Sequence, residues 1–206
     1  GRPIGSFGDV SAFSLHATKI LHTGEGGFVV TRRDHLDRLR QLRNFGLKQG
    51  RPFGDGVNGK MSELNAAMGL ALLPDLPGEL AARHRLRRIY DAGFLDAPHL
   101  RRHPTRPGAS PSLGYYALRM EPALRERVHL DLAAKGILAR DHFPSLCGPG
   151  TAWADSRIVT ADGGPACAPD IGTEALCLPL HGRMTPDDAA RVVAITLATA
   201  DRNPAA

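Results

Sequence analysis

At 206 residues and 42% apolar composition, the chain is long enough to bury a core and to form one domain, or a large piece plus a smaller one. Its 26 basic and 21 acidic residues leave a net charge of +5, but the Arg residues alternate with acids, as in RRDHLDRLRQLR, and only 5% of the chain is aromatic; a solvated surface explains this better than a nucleic-acid groove, which needs clustered charge and stacking platforms. No apolar run reaches the roughly 18 residues of a membrane span, and the opening GRPIGSFGDV has no signal-peptide character, so the expected partners include neither membrane nor nucleic acid and the expected compartment is the cytoplasm.

The first informative stretch is FSLHATKILHTGEGGFVV, residues 13–30. It reads as a short strand, a small-residue segment holding His16, Thr18 and Lys19, a Gly-rich turn at 24–27, and a second strand over 28–31. Residues 34–44 follow as an amphipathic helix, with Leu36, Leu39 and Leu42 on one stripe, Asp34 as N-cap and Gly46 closing it. KQGRPFGDGVNGKM is rich in Gly and predicts a loop. SELNAAMGLALL has small and apolar residues on nearly every side, the pattern of a helix buried against several neighbours, and it ends before Pro74. An Arg-rich helix with Leu80, Leu86 and Ile89 runs over about 77–95.

Pro98, Pro104, Pro107 and Pro111, with Gly108 and Ser110, mark a connection between subdomains. Beyond it the sequence predicts a strand at YYALRM, a helix over PALRERVHLDLAAKG with Pro122 early and Gly136 at its end, and a strand at ILARDHF. A long loop rich in Gly, Pro and Ala then leads to a strand at EALCLPL. Thr185 and Pro186 open a final helix over TPDDAARVVAITLATA. Strand, helix, strand, loop, strand, helix is a small α/β unit. Cys147, Cys167 and Cys177 form no C-x-x-C pair, and with His142 and His181 they match no common zinc spacing, so no metal is expected.

The chemistry concentrates in the first sixty residues. Only four of the 26 basic residues are Lys, at positions 19, 48, 60 and 135, and the other 22 are Arg. Lys can lose its proton and attack a carbonyl, which Arg cannot do. A catalytic Lys bonds to a carbonyl when its neutral form is populated, and pyridoxal phosphate is the cofactor that most often requires it. Such a site also needs phosphate donors. Ser14 carries a hydroxyl five residues before Lys19, and Asn58 lies just ahead of a helix whose free amides attract anions. From local sequence alone, an ordinary strand-end Lys and a turn Asn remain open readings of positions 19 and 58.

Three motifs in order, GDVSAFSLHATKILHTGEGGFVVT, LRNFG and GVNGKMSELNAAMGLALL, make the chain resemble the sugar aminotransferases of the DegT/DnrJ/EryC1/StrS family. GILARDHFPSL and LCLPLHGRMTPDDAARVV resemble the family's C-terminal subdomain. The resemblance implies Lys19 as the Schiff-base Lys, Ser14 as a ligand of the cofactor phosphate, and Asn58 as an Asn that reaches the phosphate of a neighbouring subunit, so that a homodimer completes the site. His16 and Thr18 flank the Lys, and Glu25 belongs to the turn. A Lys, not a His, at position 19 implies amine transfer instead of dehydration. The implied cofactor is pyridoxal 5'-phosphate, and the implied substrates are an amino-acid donor and a nucleotide-linked keto-sugar.

The resemblance also implies that the acidic partner of the cofactor ring nitrogen, the aromatic residue stacked on the ring and the first phosphate-binding turn precede residue 1. The expectation is therefore a partial type I transferase fold of α/β class. Residues 1–96 would be the remainder of the large domain with a connecting helix, and 97–206 a small C-terminal α/β domain. Such a chain is a fragment not active alone, or else a catalytically silent relative serving as a subunit or binding module.

Overall fold

A computed structural model describes residues 1–103, 105–141 and 168–202, in two compact units, Gly1–Pro77 and Gly78–Ala206. Pro104, His142, Cys147, Cys167 and the end of the strand expected at ILARDHF lie outside the described residues.

The first unit is built around an antiparallel hairpin of β1 (Val10–Ser14) and β2 (Gly27–Thr31). Directly opposed residues share a face, so Val10, Ala12 and Val29 lie on one side and Phe13, Phe28 and Val30 on the other. Phe13 and Phe28 stack with ring centroids 4.8 Å apart. A ribbon that is apolar on both faces has the residue pattern of a strand pair meant to be covered twice, whereas here Phe28, Val29 and Val30 are exposed.

The next helix, α1 (Leu36–Arg43), is preceded by a 3-10 turn, Arg33–His35. Asp34 does not cap it. Its carboxylate instead lies 3.4 Å from the Arg32 guanidinium, and the cap position passes to His35, which makes no side-chain cap hydrogen bond. Gly46 does close the helix, its amide donating to the Gln41 carbonyl at 3.0 Å. The segment expected to be plain loop holds a small hairpin, β3 (Leu47–Lys48) with β4 (Arg51–Pro52). Gln49 and Gly50 both have left-handed φ, 51° and 77°, as the two-residue turn matching strand twist requires.

Helix α2 (Glu63–Leu72) is capped by Ser62, whose hydroxyl accepts from the Asn65 amide. It was expected to be buried on several sides. Within this unit none of its residues is buried, and Leu64 and Leu70 are 85% and 72% exposed. Composition marks the helix as apolar but does not record whether a neighbour covers it.

The second unit combines helices with a four-stranded antiparallel sheet of order β5-β6-β8-β7. Its elements are α3 (Leu76–Gly93, nearly all within this unit), β5 (Arg101–Arg102), β6 (Tyr116–Arg119), α4 (Pro122–Ala134), β7 (Arg140–Asp141), α5 (Ala168–Glu174), β8 (Ala175–Leu178) and α6 (Pro186–Ala200). Because β8 pairs antiparallel with both β6 and β7, those two run parallel with β8 between them, a split β-α-β arrangement. All four residues of β8 are buried, Cys177 among them.

The core joins Leu86, Tyr90 and Phe94 to Leu118, Val128, Leu132, Leu176 and Val192. The boundary read from the Pro-rich stretch lay at 96/97. By packing, α3 goes with the second unit, since its Leu86 and Tyr90, and Phe94 just beyond its end, are in that core. The expected N-cap of α6, Thr185, is present and forms a reciprocal capping box with Asp188.

Glu79 of α3 ties this unit together. One carboxylate oxygen accepts from Arg83 Nε at 2.6 Å and from the Gly182 amide at 2.9 Å, while Arg83 also donates to the Leu113 carbonyl at 2.9 Å. Burial pushes the Glu79 carboxyl up, but the hydrogen bonds from Arg83 and Gly182 and the charges of Arg83 and His181 together outweigh it and hold it below its ordinary 4.5. A lowered folded pKa contributes stability that is present above about pH 4.5 and is lost as pH falls through the folded value. Glu79→Gln keeps an acceptor but cannot titrate, so thermal melts between about pH 6 and about pH 3 should show a shallower acid loss than the native chain.

Candidate functional site

Between β1 and β2, residues 15–26 form a closed loop. Leu15 extends the ladder by donating to the Gly26 carbonyl at 2.9 Å, and Thr23 returns to the Leu15 carbonyl through its amide at 2.8 Å. The Thr23 side chain, only 2% exposed, donates to the Glu25 carbonyl at 2.8 Å and approaches Leu15 O at 3.4 Å. Asn65 of α2 donates from Nδ2 to the Thr23 carbonyl at 2.5 Å, so the first turn of α2 is bolted to the loop. Two glycines make room for this clasp. A Cβ on Gly26 (φ 151°) would lie 2.6 Å from Thr23 Oγ1 and 2.7 Å from Met61 Cε, and one on Gly69 would lie 2.8 Å from Thr23 Cγ2.

The loop and the strand end before it present five of the residues singled out from sequence, Ser14, His16, Thr18, Lys19 and Glu25. Ser14, at the end of β1, is exposed, and its Oγ accepts from the His16 amide at 3.2 Å. Among the described residues no acceptor takes its own proton, so the hydroxyl remains a donor for an anion. The Lys19 amide donates to the His16 carbonyl at 2.9 Å, which turns the chain and leaves the Lys19 side chain exposed. Among the described residues the amine has no hydrogen-bond or ion-pair partner. His22 has Nδ1 buried without a hydrogen-bond partner, so the loop carries polar capacity that the unit itself does not satisfy.

Asn58 sits elsewhere in the unit, on an arm hung from the end of α1. Val57 donates to Leu42 O and Gly59 to Arg43 O, both at 2.8 Å, while Phe45 donates to Val57 O at 3.0 Å. The free carbonyls at the helix C-terminus are thus satisfied by the arm. The turn is tight enough that a Cβ on Gly46 would overlap the Gly54 carbonyl oxygen. Lys60 and Lys48 lie over Phe45 and Phe53, at 4.1 and 4.9 Å from the ring centroids. Asn58 is exposed, and among the described residues no hydrogen bond joins it to Ser14 or Lys19.

Sequence reasoning missed Thr23, Asn65 and Gly69, which position the loop. The available signal was Thr23 itself, a small polar residue set immediately before the Gly-rich turn. Thr23→Val preserves shape and removes the hydroxyl donor, leaving the Glu25 carbonyl without that bond. Denaturant unfolding should show the first unit weakened by about 1–2 kcal/mol, and the second unit unchanged.

Among the described residues no group of three His, Cys, Asp or Glu could hold a metal ion, and no helix is long and apolar enough to cross a membrane. What the loop offers is a primary amine without a partner among the described residues, a hydroxyl donor for an anion, and a hydrogen-bonded backbone connecting them.

Over residues 1–196 the sequence matches the DegT/DnrJ/EryC1/StrS aminotransferase family, and the chain belongs to that family. It is 34% identical over 198 residues to Protein Rv3402c of Mycobacterium tuberculosis, covering 94% of this chain and 47% of that protein. To the GDP-perosamine synthase of Caulobacter vibrioides it is 32% identical over 207 residues, covering 94% of this chain and 53% of that one. The crystal structure of S. venezuelae DesV in complex with a ketimine intermediate has the same fold, with a TM-score of 0.87 at 29% identity over 98% of this chain and 54% of that chain. The chain spans about half the length of the curated relatives it matches, and its α/β fold is the expected part of a larger transferase fold.

Proposed function

We propose that this chain is the Lys-bearing part of a pyridoxal-phosphate-dependent aminotransferase that aminates a nucleotide-linked keto-sugar, and that it acts together with polypeptide equivalent to the other half of its relatives' length. The carrying observation is that a hydroxyl with a free proton and an unpartnered amine are held on one closed loop, Ser14 to Lys19. That donor set suits a phosphorylated aldehyde: Ser14 would donate to the phosphate, and Lys19 would bond to the aldehyde carbon. When bound, pyridoxal phosphate supplies a carbonyl that accepts an amino group and a ring that accepts electrons.

The remaining chemistry falls to the chain's own residues. Freed from the cofactor by the amino donor, Lys19 Nζ would carry the proton between the two carbons that exchange the amine. The arm carrying Asn58 would reach the phosphate of a second copy, which makes a homodimer the active species. Dispersed Arg residues give the surface the positive sign that attracts a nucleoside diphosphate. The substrate class is supported by the names of two relatives, the GDP-perosamine synthase of Caulobacter vibrioides and a dTDP-4-dehydro-2,3,6-trideoxy-D-glucose 4-aminotransferase of Saccharopolyspora spinosa.

A second reading, a catalytically silent module, has its own support in the exposed Phe28, Val29, Leu64 and Leu70, which suit a surface built to be covered. One experiment separates the two. The complete polypeptide is incubated with pyridoxal phosphate, reduced with borohydride and mapped by mass spectrometry. A pyridoxyl group on Lys19 supports the aminotransferase; none on Lys19, or the same yield on Lys48, Lys60 and Lys135, rejects it in favour of the module.

A further inference from the structure

We infer that His16 is a positioning residue for Lys19, acting through Nδ1 as the acceptor that fixes the peptide at Thr18. The inference rests on the reading of Lys19 given above. The imidazole lies across the loop: Nδ1 is 3.2 Å from the Thr18 amide nitrogen and 3.0 Å from Thr18 Oγ1, and Nε2 is 3.6 Å from a Glu25 carboxylate oxygen. A backbone amide can only donate, so Nδ1 carries no proton and the ring proton sits on Nε2, facing Glu25.

The backbone of the same residue is engaged on both sides. Its amide donates to Ser14 Oγ and its carbonyl accepts from the Lys19 amide. His16 therefore touches the hydroxyl assigned to the phosphate, the residue before the amine, and the amine's own peptide group. The two ends of the ring are unequal. The Glu25 contact is long and joins side chains that are 47% and 81% exposed, a geometry that contributes little. The Thr18 contacts are short and restrain the residue adjacent to Lys19. Without them the turn at 16–19 keeps only the Lys19 amide bond, and the amine samples more orientations before it can react.

Two isosteres divide the ring. Asn places its amide oxygen where Nδ1 sits and keeps the Thr18 acceptor; Gln reaches Glu25 but leaves the Thr18 amide unpaired. In the complete polypeptide, at subsaturating pyridoxal phosphate, borohydride labelling of Lys19 and cofactor affinity by absorbance are compared for His16→Asn, His16→Gln and His16→Ala. His16→Asn should stay within about twofold of the native protein, while His16→Gln and His16→Ala should label roughly fivefold less, the effect of one ordinary hydrogen bond. Rescue by Asn alone is the signature that general loss of structure would not produce. A His16→Ala chain that fails to fold on circular dichroism leaves the Asn and Gln pair to decide. Equal labelling in all variants, or His16→Asn as weak as His16→Gln, overturns the inference. No labelling in the native protein overturns the reading of Lys19 itself.

Discussion

Lys19→Ala should leave the fold intact and abolish amine transfer, with kcat lowered by at least about 10²–10⁴-fold from loss of the positioned proton carrier alone. The side chain is exposed and, among the described residues, supports no neighbour, so thermal melting should not move. Absorbance would show cofactor held without a covalent link, and exogenous small amines should restore part of the rate, because the missing group is a proton carrier. Lys19→Arg makes the sharper comparison. It keeps the charge and most of the length, yet an Arg guanidinium does not deprotonate and cannot bond to an aldehyde. If Lys19→Arg transfers amine at the native rate, position 19 holds an ordinary surface cation.

Gly46→Val should have the largest structural effect in the first unit. Gly46 has φ 69°, a conformation a β-branched residue adopts only with strain, and any Cβ there would overlap the Gly54 carbonyl. The Gly46 amide also closes α1 on Gln41. Together these should weaken the unit by about 2–4 kcal/mol and displace the 53–59 arm. Asn58→Ala provides the control, since an exposed side chain can be removed at almost no cost in stability. If Asn58 serves a second copy's phosphate, Asn58→Ala should weaken cofactor binding with unchanged melting, whereas Gly46→Val should change both. Unchanged cofactor affinity in both variants would remove the arm from the site.

Much of the element order is legible in the sequence, because the signals are local. Short apolar runs mark β6 and β8, a Thr-Pro start marks α6, and Gly punctuation marks the turns at 24–27 and at 136. Asp34 shows where local signals mislead: it has the cap residue type, but its neighbour Arg32 takes the carboxylate. The strands β3 and β4 were hidden because two-residue strands carry no periodicity, and their turn relies on Gln49 in a left-handed conformation that Gln seldom adopts. Helix α5 lay inside a stretch whose Gly and Pro content pointed to loop.

The family, and with it the proposed reactive residues, is legible in the sequence by itself. Three motifs in register define the family, and one of the four Lys with a Ser five residues earlier carries the proposed chemistry, since both depend on residue type and spacing. Tertiary structure decided what holds them: the Thr23 clasp, the Asn65 bond from α2, the arm that carries Asn58, and the exposure of an α2 that composition marks as buried. These depend on contacts between residues as far apart as Thr23 and Asn65, and a chain's local pattern carries no record of which distant side chain arrives to satisfy a buried carbonyl or to cover an apolar face.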